Sequence, residues 1–143
     1  MVKVFFQLEP DEDGYPPASV ESVWARVEPG TPGLIIENTP FFARQATLGD
    51  TVSIRWEEGV RWFESVVERS TNSLVRVAFW DPACLEPVND ALVKMGCVTE
   101  YTEHYQLLAV SIPGEVSLLD VQEYLQGEAG RGGIDYEEPI LRQ

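Results

Sequence analysis

The stretch from Leu34 to Trp56 most constrains how this chain can fold. Its residues read Leu34-Ile35-Ile36, then Glu37-Asn38-Thr39-Pro40-Phe41-Phe42-Ala43, then Leu48-Gly49-Asp50, before an alternating segment that ends at Trp56. Pro40 forces the residue before it into an extended or turn conformation, so the strand that begins at Leu34 must stop there. We therefore expect a corner between two parts of a sheet, with an Asx-turn at Asn38.

Two adjacent phenylalanines, Phe41 and Phe42, follow this corner in a connection that would otherwise be polar. Neighbouring side chains cannot both face one way. One interpretation is that one ring plugs the end of the sheet, since aromatic side chains are mostly core material. The other is that Phe41, Phe42 and Trp56 line a ligand pocket.

Hydrophobic periodicity predicts an α+β fold with a twisted, mainly antiparallel sheet or partial barrel and two helices packed on one face. The alternating and apolar segments predict strands at residues 2–8, 19–27, 34–37, 51–56, 60–69, 74–80, 98–101 and 105–112. One helix ends at Gly96 and starts either at Asp81 or, after a separate turn, near Glu86. Ser117 caps a second helix that Gly127 stops.

The length of 143 residues predicts a single domain. We expect a β-rich half at residues 1–80, a helix-strand-helix half at 81–127 and an acidic C-terminal tail at 128–143. Residues 127–133 are glycine-rich and follow a helix instead of opening one, which indicates a linker and not a phosphate-binding loop.

Charge excludes some partners and favours others. Ten basic residues against 24 acidic ones give a net charge of −14. The sums are 2 − 7 = −5 for residues 1–40, 5 − 5 = 0 for residues 41–80 and 3 − 12 = −9 for residues 81–143. Because such a surface repels phosphate backbones and anionic lipid, we expect no nucleic-acid or membrane partner and instead a basic protein.

The beginning of the sequence is apolar only as far as Leu8, after which acids follow, so we read it as a strand and not as an export signal. No apolar run approaches the length that crosses a bilayer. We expect a cytoplasmic protein.

Catalytic and metal-binding patterns are weak. Cys84 and Cys97 bracket a predicted helix and should therefore be free thiols, the second with a raised pKa because it faces a helix C-terminus. His104 is the only histidine and reads as a solvated turn residue, so zinc ligands are too few. We expect no enzyme activity, no catalytic residues, no metal and no cofactor.

Four arginines fall on the three predicted strands at residues 51–56, 60–69 and 74–80, and three glutamates lie on or directly beside these strands. The arginines are Arg55, Arg61, Arg69 and Arg76, and the glutamates are Glu57, Glu64 and Glu68. Cross-strand ion pairs on a solvent-exposed face of the sheet are one interpretation. An anion pocket is the other.

Six segments together resemble an uncharacterised bacterial domain-of-unknown-function family, the 4265 family. They are Trp24-Ala25-Arg26, Glu37-Asn38-Thr39-Pro40-Phe41-Phe42-Ala43, Leu48-Gly49-Asp50-Thr51-Val52, Leu74-Val75-Arg76-Val77, Met95-Gly96-Cys97 and Tyr136-Glu137-Glu138. The resemblance covers nearly the whole chain in the same order and implies a bacterial cytoplasmic domain of this size. It carries over no catalytic residues.

Two functional hypotheses follow. The first is a non-enzymatic, immunity-type inhibitor whose acidic surface neutralises a bacterial toxin that acts on nucleic acid or nucleotide, because the active site of such a toxin must be basic. Its partner-binding residues are predicted to be Asp11, Glu12, Asp13, Glu128, Asp135, Glu137 and Glu138. The second is a small-molecule-binding or regulatory module that uses Phe41, Phe42 and Trp56, with arginines holding an anion.

Overall fold

A computed structural model describes all residues from Met1 to Gln143. The chain forms two compact units, Met1–Ser70 and Thr71–Gln143. No helix in either unit combines the length and the apolar character that crossing a membrane requires.

The first unit is a five-stranded barrel in which each strand pairs with the next one along the chain. Its strands are β1 (Val2–Gln7), β2 (Val20–Val27), β3 (Leu34–Ile36), β4 (Thr51–Glu57) and β5 (Val60–Glu68). The four consecutive pairs are antiparallel. A parallel bridge between Phe5 of β1 and Trp62 of β5 closes the ring.

Buried and exposed side chains alternate along the strands, and the buried ones fill the barrel interior. Val4 and Phe6 of β1 and Val23 and Ala25 of β2 are buried, while their neighbours in sequence point outward. The ring of Phe6 stacks on that of Phe63, with the ring centroids 4.8 Å apart. The barrel thus encloses a packed core.

A two-residue turn joins β4 to β5 in a hairpin. Its two central residues, Glu58 and Gly59, have φ values of 52° and 81°. Positive φ at both positions matches the right-handed twist of the flanking strands, which is why glycine is favoured at the second one.

The second unit is a four-stranded antiparallel sheet with two helices. Its elements are β6 (Ser73–Phe79), α1 (Leu85–Met95), β7 (Val98–Thr102), β8 (Leu107–Ile112), α2 (Leu118–Gly130) and β9 (Ile134–Ile140). The strand order is β7-β8-β6-β9. Alternate residues of β6 and β8, such as Val77 and Val110, share one hydrophobic core with Leu92 of α1 and Val121 of α2. Both helices therefore pack on the same face of the sheet.

Local signals set the helix boundaries. Asp81 caps a short 3-10 helix, Pro82–Cys84, through a bond from the Ala83 N–H to its carboxylate at 3.0 Å. This separate turn precedes α1, which ends at Gly96 with φ 106°. The Ser117 hydroxyl accepts the Asp120 N–H at 3.2 Å at the start of α2.

The predicted α+β class, the antiparallel pairing and the placement of both helices on one face are confirmed. Three details differ from the expectations. The strands form two sheets, and the compact units divide after Ser70 instead of after residue 80, because β6 belongs to the second sheet. Helix α2 continues to Gly130 through the expected linker. Residues 134–140 of the expected acidic tail form strand β9, which pairs with β6.

Candidate partner-binding site

The loop between β1 and β2 carries the first group of predicted partner-binding acids. One carboxylate oxygen of Asp11 accepts the Asp13 N–H at 2.9 Å and the Tyr15 N–H at 3.0 Å. The Asp11 N–H in turn donates to the Tyr15 carbonyl at 2.8 Å. Asp11 thus folds the loop on itself, while the side chains of Glu12 and Asp13 stay exposed and form no ion pair.

A second carboxylate organises the corner loop after β3. Glu21 of β2 accepts three successive backbone N–H groups: from Phe41 at 2.6 Å, from Phe42 at 2.9 Å and from Ala43 at 2.8 Å. The Asn38 side-chain oxygen accepts the Trp24 N–H of β2 at 2.7 Å. The corner is therefore bonded to a distant strand, whereas the sequence predicted a local Asx-turn at Asn38.

The far end of the same loop is held by Asp50, which is fully buried. Its two carboxylate oxygens accept the Thr47 N–H and the Ser70 N–H, both at 2.9 Å. Bonds of this kind satisfy backbone groups that would otherwise be buried without a partner.

The β1–β2 loop and the corner loop after β3 border a cleft of about 560 Å³ in the first unit. Its apolar surface comes from Leu8, which is 6% exposed, Phe42, which is 8% exposed, and the ring of Tyr15, which stands edge-on to Phe42 at 6.1 Å. Its polar lining includes the carboxylates of Glu9 and Asp11 and the amides of two glutamines. The volume lies in the range of small-ligand sites.

The structure does not bring the three aromatic residues of the predicted pocket into this cleft. Only Phe42 lines it. Phe41 is half-buried beside it in sequence, and Trp56 lies at the β4–β5 hairpin, where it is 58% exposed with the Arg61 guanidinium 4.3 Å from its ring centroid. Of the two adjacent phenylalanines, Phe42 is buried and Phe41 is half-buried.

The C-terminal acids lie on different sides of the second unit. Glu128 of α2 pairs with Arg131 at 3.0 Å, and Glu138 of β9 accepts a bond from the Gln122 amide at 2.6 Å. Glu137 pairs with the buried Arg76 at 3.3 Å. Since Glu137 and Glu138 are consecutive in a strand, they point to opposite faces of the sheet. Asp135 is exposed on the same strand.

The helices of the second unit present exposed acids that the sequence reasoning did not select. Glu86 and Asp90 lie one turn apart on α1, and Asp120 and Glu123 lie one turn apart on α2. None of the four forms an ion pair. Their spacing of three or four residues on one helix face was a signal that could have identified them.

The four arginines of the central segment have different environments. Arg55 pairs with Glu57 on its own strand at 3.1 Å, and Arg76 is buried, so neither fits the expected cross-strand pairing on a wet face. Arg69 forms no ion pair and lines a second cleft of about 400 Å³ in the first unit. Arg26 also lines this cleft, paired with Glu28 at 3.0 Å and with Glu37.

The two cysteines are free thiols, as expected. Burial raises the pKa of the Cys97 thiol from its ordinary value of 9.0 to about 11. The predicted direction is correct, and burial of the thiol is a cause that the sequence analysis did not identify. His104 is exposed in the β7–β8 turn, with its ring edge-on to that of Tyr105 at 4.5 Å.

Comparison with known proteins gives a fold relative and a family. No curated protein matches the sequence. A solved structure, described as a novel crystal structure of a hypothetical protein from Neisseria gonorrhoeae, superposes with a TM-score of 0.81 and 19% identity over 99% of this chain and 95% of that chain. At this identity the likeness shows the fold alone. The sequence matches a family described as a domain of unknown function, DUF4265, over residues 21–136. The chain therefore belongs to the DUF4265 family.

Proposed function

We propose that this chain is a non-enzymatic protein-binding domain, an immunity-type inhibitor that neutralises a basic bacterial toxin through an acidic surface. The observation that carries the proposal is the β1–β2 loop. It presents Glu9, Glu12 and Asp13 as exposed carboxylates without an ion pair, next to a concave surface of the same unit. Carboxylates that no internal cation neutralises attract a basic partner at long range.

The internal contacts of the other predicted acids narrow the proposed surface. Glu128, Glu137 and Glu138 are engaged within the second unit, where the Asp135 carboxylate accepts the Tyr136 N–H at 2.9 Å. Asp11 shapes the loop through its bonds to backbone N–H groups. The proposed contact residues are therefore Glu9, Glu12 and Asp13, with Asp11 as the residue that positions them.

Co-expression with a toxin encoded beside this gene in the native host tests the proposal. We expect growth protection, a complex recovered by pull-down, and association that slows several-fold as salt rises from about 50 to about 500 mM, because screening weakens the long-range attraction. Absence of both complex and protection contradicts the proposal.

A charge-matched pair of triple variants locates the surface. Glu9→Gln, Glu12→Gln and Asp13→Asn together should slow association, since they remove three loop charges and no intramolecular bond. The control variant combines Glu103→Gln, Glu115→Gln and Glu123→Gln. These three residues are exposed acids of the second unit that form no ion pair. If both triple variants slow association equally, net charge and not the loop is responsible.

A small-molecule-binding module is the second candidate, and the cleft that Arg26 and Arg69 line favours it. Glu28 and Glu68 also line this cleft, but Arg69 forms an ion pair with neither of them. The expected ligand is therefore an acidic metabolite or nucleotide whose acidic group binds at Arg69. A thermal-shift screen should then find a stabilising anion whose effect disappears in Arg69→Gln and persists in Arg131→Gln. No shift with any compound would eliminate this candidate.

A further inference from the structure

The cleft between the β1–β2 loop and the corner loop is built to keep its shape. Asp11 fixes one wall through two backbone N–H groups, and Glu21 fixes the other through three. The Gln45 amide also donates to the Gln7 carbonyl at 3.5 Å, across the two walls. A cavity whose walls are fixed before binding loses less conformational entropy when a ligand enters.

The chemistry of the cleft combines aromatic rings with carboxylates. Tyr15 is 40% exposed, and the largely buried ring of Phe42 backs it. Glu9 and Asp11 line the cavity, and Glu12 continues the acidic loop. A cation gains both from the face of an aromatic ring and from a carboxylate within reach.

One cation of the protein also lines the cleft. It is Arg44, which is exposed and engaged in a contact of its own. The two lining carboxylates, Glu9 and Asp11, outnumber it by 2 − 1 = 1. Glu12 and Asp13 add two exposed carboxylates on the same loop. The local charge therefore favours a positively charged occupant over an anion.

We propose that this cleft receives an arginine side chain of the partner, with the guanidinium over the Tyr15 ring and beside the Glu9 carboxylate. This inference rests on the proposed function, because it assigns the anchor point of the basic partner. Arginine fits better than lysine, since its planar guanidinium stacks on aromatic faces and pairs with a carboxylate at the same time. An arginine in a preformed pocket is a common centre of binding energy in protein interfaces.

A tetra-arginine peptide tests the assignment, with a tetra-citrulline peptide as the neutral counterpart of the same shape. Calorimetry should detect tetra-arginine binding, and NMR should show shifts of the Tyr15 ring signals. Tetra-citrulline should not bind. Equal binding of the two peptides would overturn the inference, because the cleft would then not select for charge.

Two variants with matched controls locate the peptide. Tyr15→Leu should weaken tetra-arginine binding about fivefold through loss of the ring–cation contact, whereas Tyr101→Leu, at a comparably exposed tyrosine of the second unit, should not. Glu9→Gln should weaken it about threefold, whereas Glu115→Gln should not. If each variant binds as its control does, the cleft is not the site.

The toxin assay separates this inference from the function on which it rests. Protection that is lost in the loop triple variant but unchanged in Tyr15→Leu would leave the inhibitor function standing and overturn the arginine anchor. Selective tetra-arginine binding at Tyr15 without any protection would uphold the anchor and contradict the inhibitor function.

Discussion

At the scale of single residues, carboxylates do the work of holding loops that lack regular secondary structure. Glu21 and Asp50 together accept five backbone N–H groups of the corner loop and its surroundings. A buried or half-buried N–H without an acceptor costs about 1–3 kcal/mol. The loop that carries Phe42 into the cleft therefore depends on side chains far from it in sequence.

Glu21→Ala should lower the free energy of unfolding by about 2–4 kcal/mol, because three N–H groups lose a charged acceptor at once. Urea denaturation followed by circular dichroism measures the change. Glu9→Ala is the control, since its exposed carboxylate accepts no such bonds. A Glu21→Ala variant as stable as the control would contradict the proposed role of this carboxylate.

Cys97 gives a prediction for alkaline pH. Burial raises its pKa in the folded protein to about 11 from 9.0, so the unfolded chain releases the proton first as pH rises. Its contribution to stability is thus complete below pH 9 and is lost between pH 9 and about 11. Wild-type protein should lose more stability over this interval than Cys97→Ala, in parallel thermal melts. Identical losses would show that another group governs the alkaline transition.

At the scale of secondary-structure elements, strand β9 shows what periodicity alone misses. Its sequence, Ile134-Asp135-Tyr136-Glu137-Glu138-Pro139-Ile140, is acidic and contains a proline, which is typical of a loose tail. The strand lies at an edge of the sheet, where a residue without an N–H is tolerated. Its pairing with β6 and the burial of Ile134 in the core are contacts with distant residues, which a local pattern does not show.

Ile134→Ala should cost about 2–4 kcal/mol, because Ile134 is 4% exposed and belongs to the core of the second unit. Leu141→Ala, seven residues along the chain and 48% exposed, should cost far less. Denaturant unfolding of both variants compares them. Equally small costs would mean that the C-terminal segment is not packed as described.

The turn between β2 and β3 gives a second test at this scale. A Cβ at Gly33 would overlap the Val52 carbonyl oxygen on the neighbouring strand β4, so Gly33→Ala must displace one of the two backbones. Gly30 has φ 85° but open space around it. Gly33→Ala should therefore destabilise the barrel more than Gly30→Ala, as thermal melts would show. The reverse order would contradict the close approach of the two strands.

At the scale of the whole molecule, charge dominates behaviour in solution. With a net charge of −14 and a sequence pI of about 4.3, the protein should repel copies of itself at neutral pH and associate most readily near its pI. Turbidity measured against pH should peak close to pH 4.3. A peak near neutral pH would indicate that apolar patches govern association instead.

The predictability of the fold and of the site differs for a physical reason. Strands such as β2 and helices such as α1 follow from local alternation and periodicity, and both were predicted to within a few residues. The contacts of Glu21 with residues 41–43 and of Arg76 with Glu137 join positions far apart in sequence, so no local pattern reveals them. The cleft likewise depends on two loops that only the closed barrel brings together.

The contact between β1 and β5 that closes the barrel is also where the barrel should open most easily. The antiparallel pairs are joined by between two residue pairs, in β3–β4, and seven, in β4–β5, whereas β1 and β5 meet at a single pair, Phe5 and Trp62. Separation at this seam breaks no other ladder, so native-state hydrogen exchange should report the lowest opening energy there. Opening at this seam would convert the barrel into a five-stranded antiparallel sheet whose two edge strands are β1 and β5.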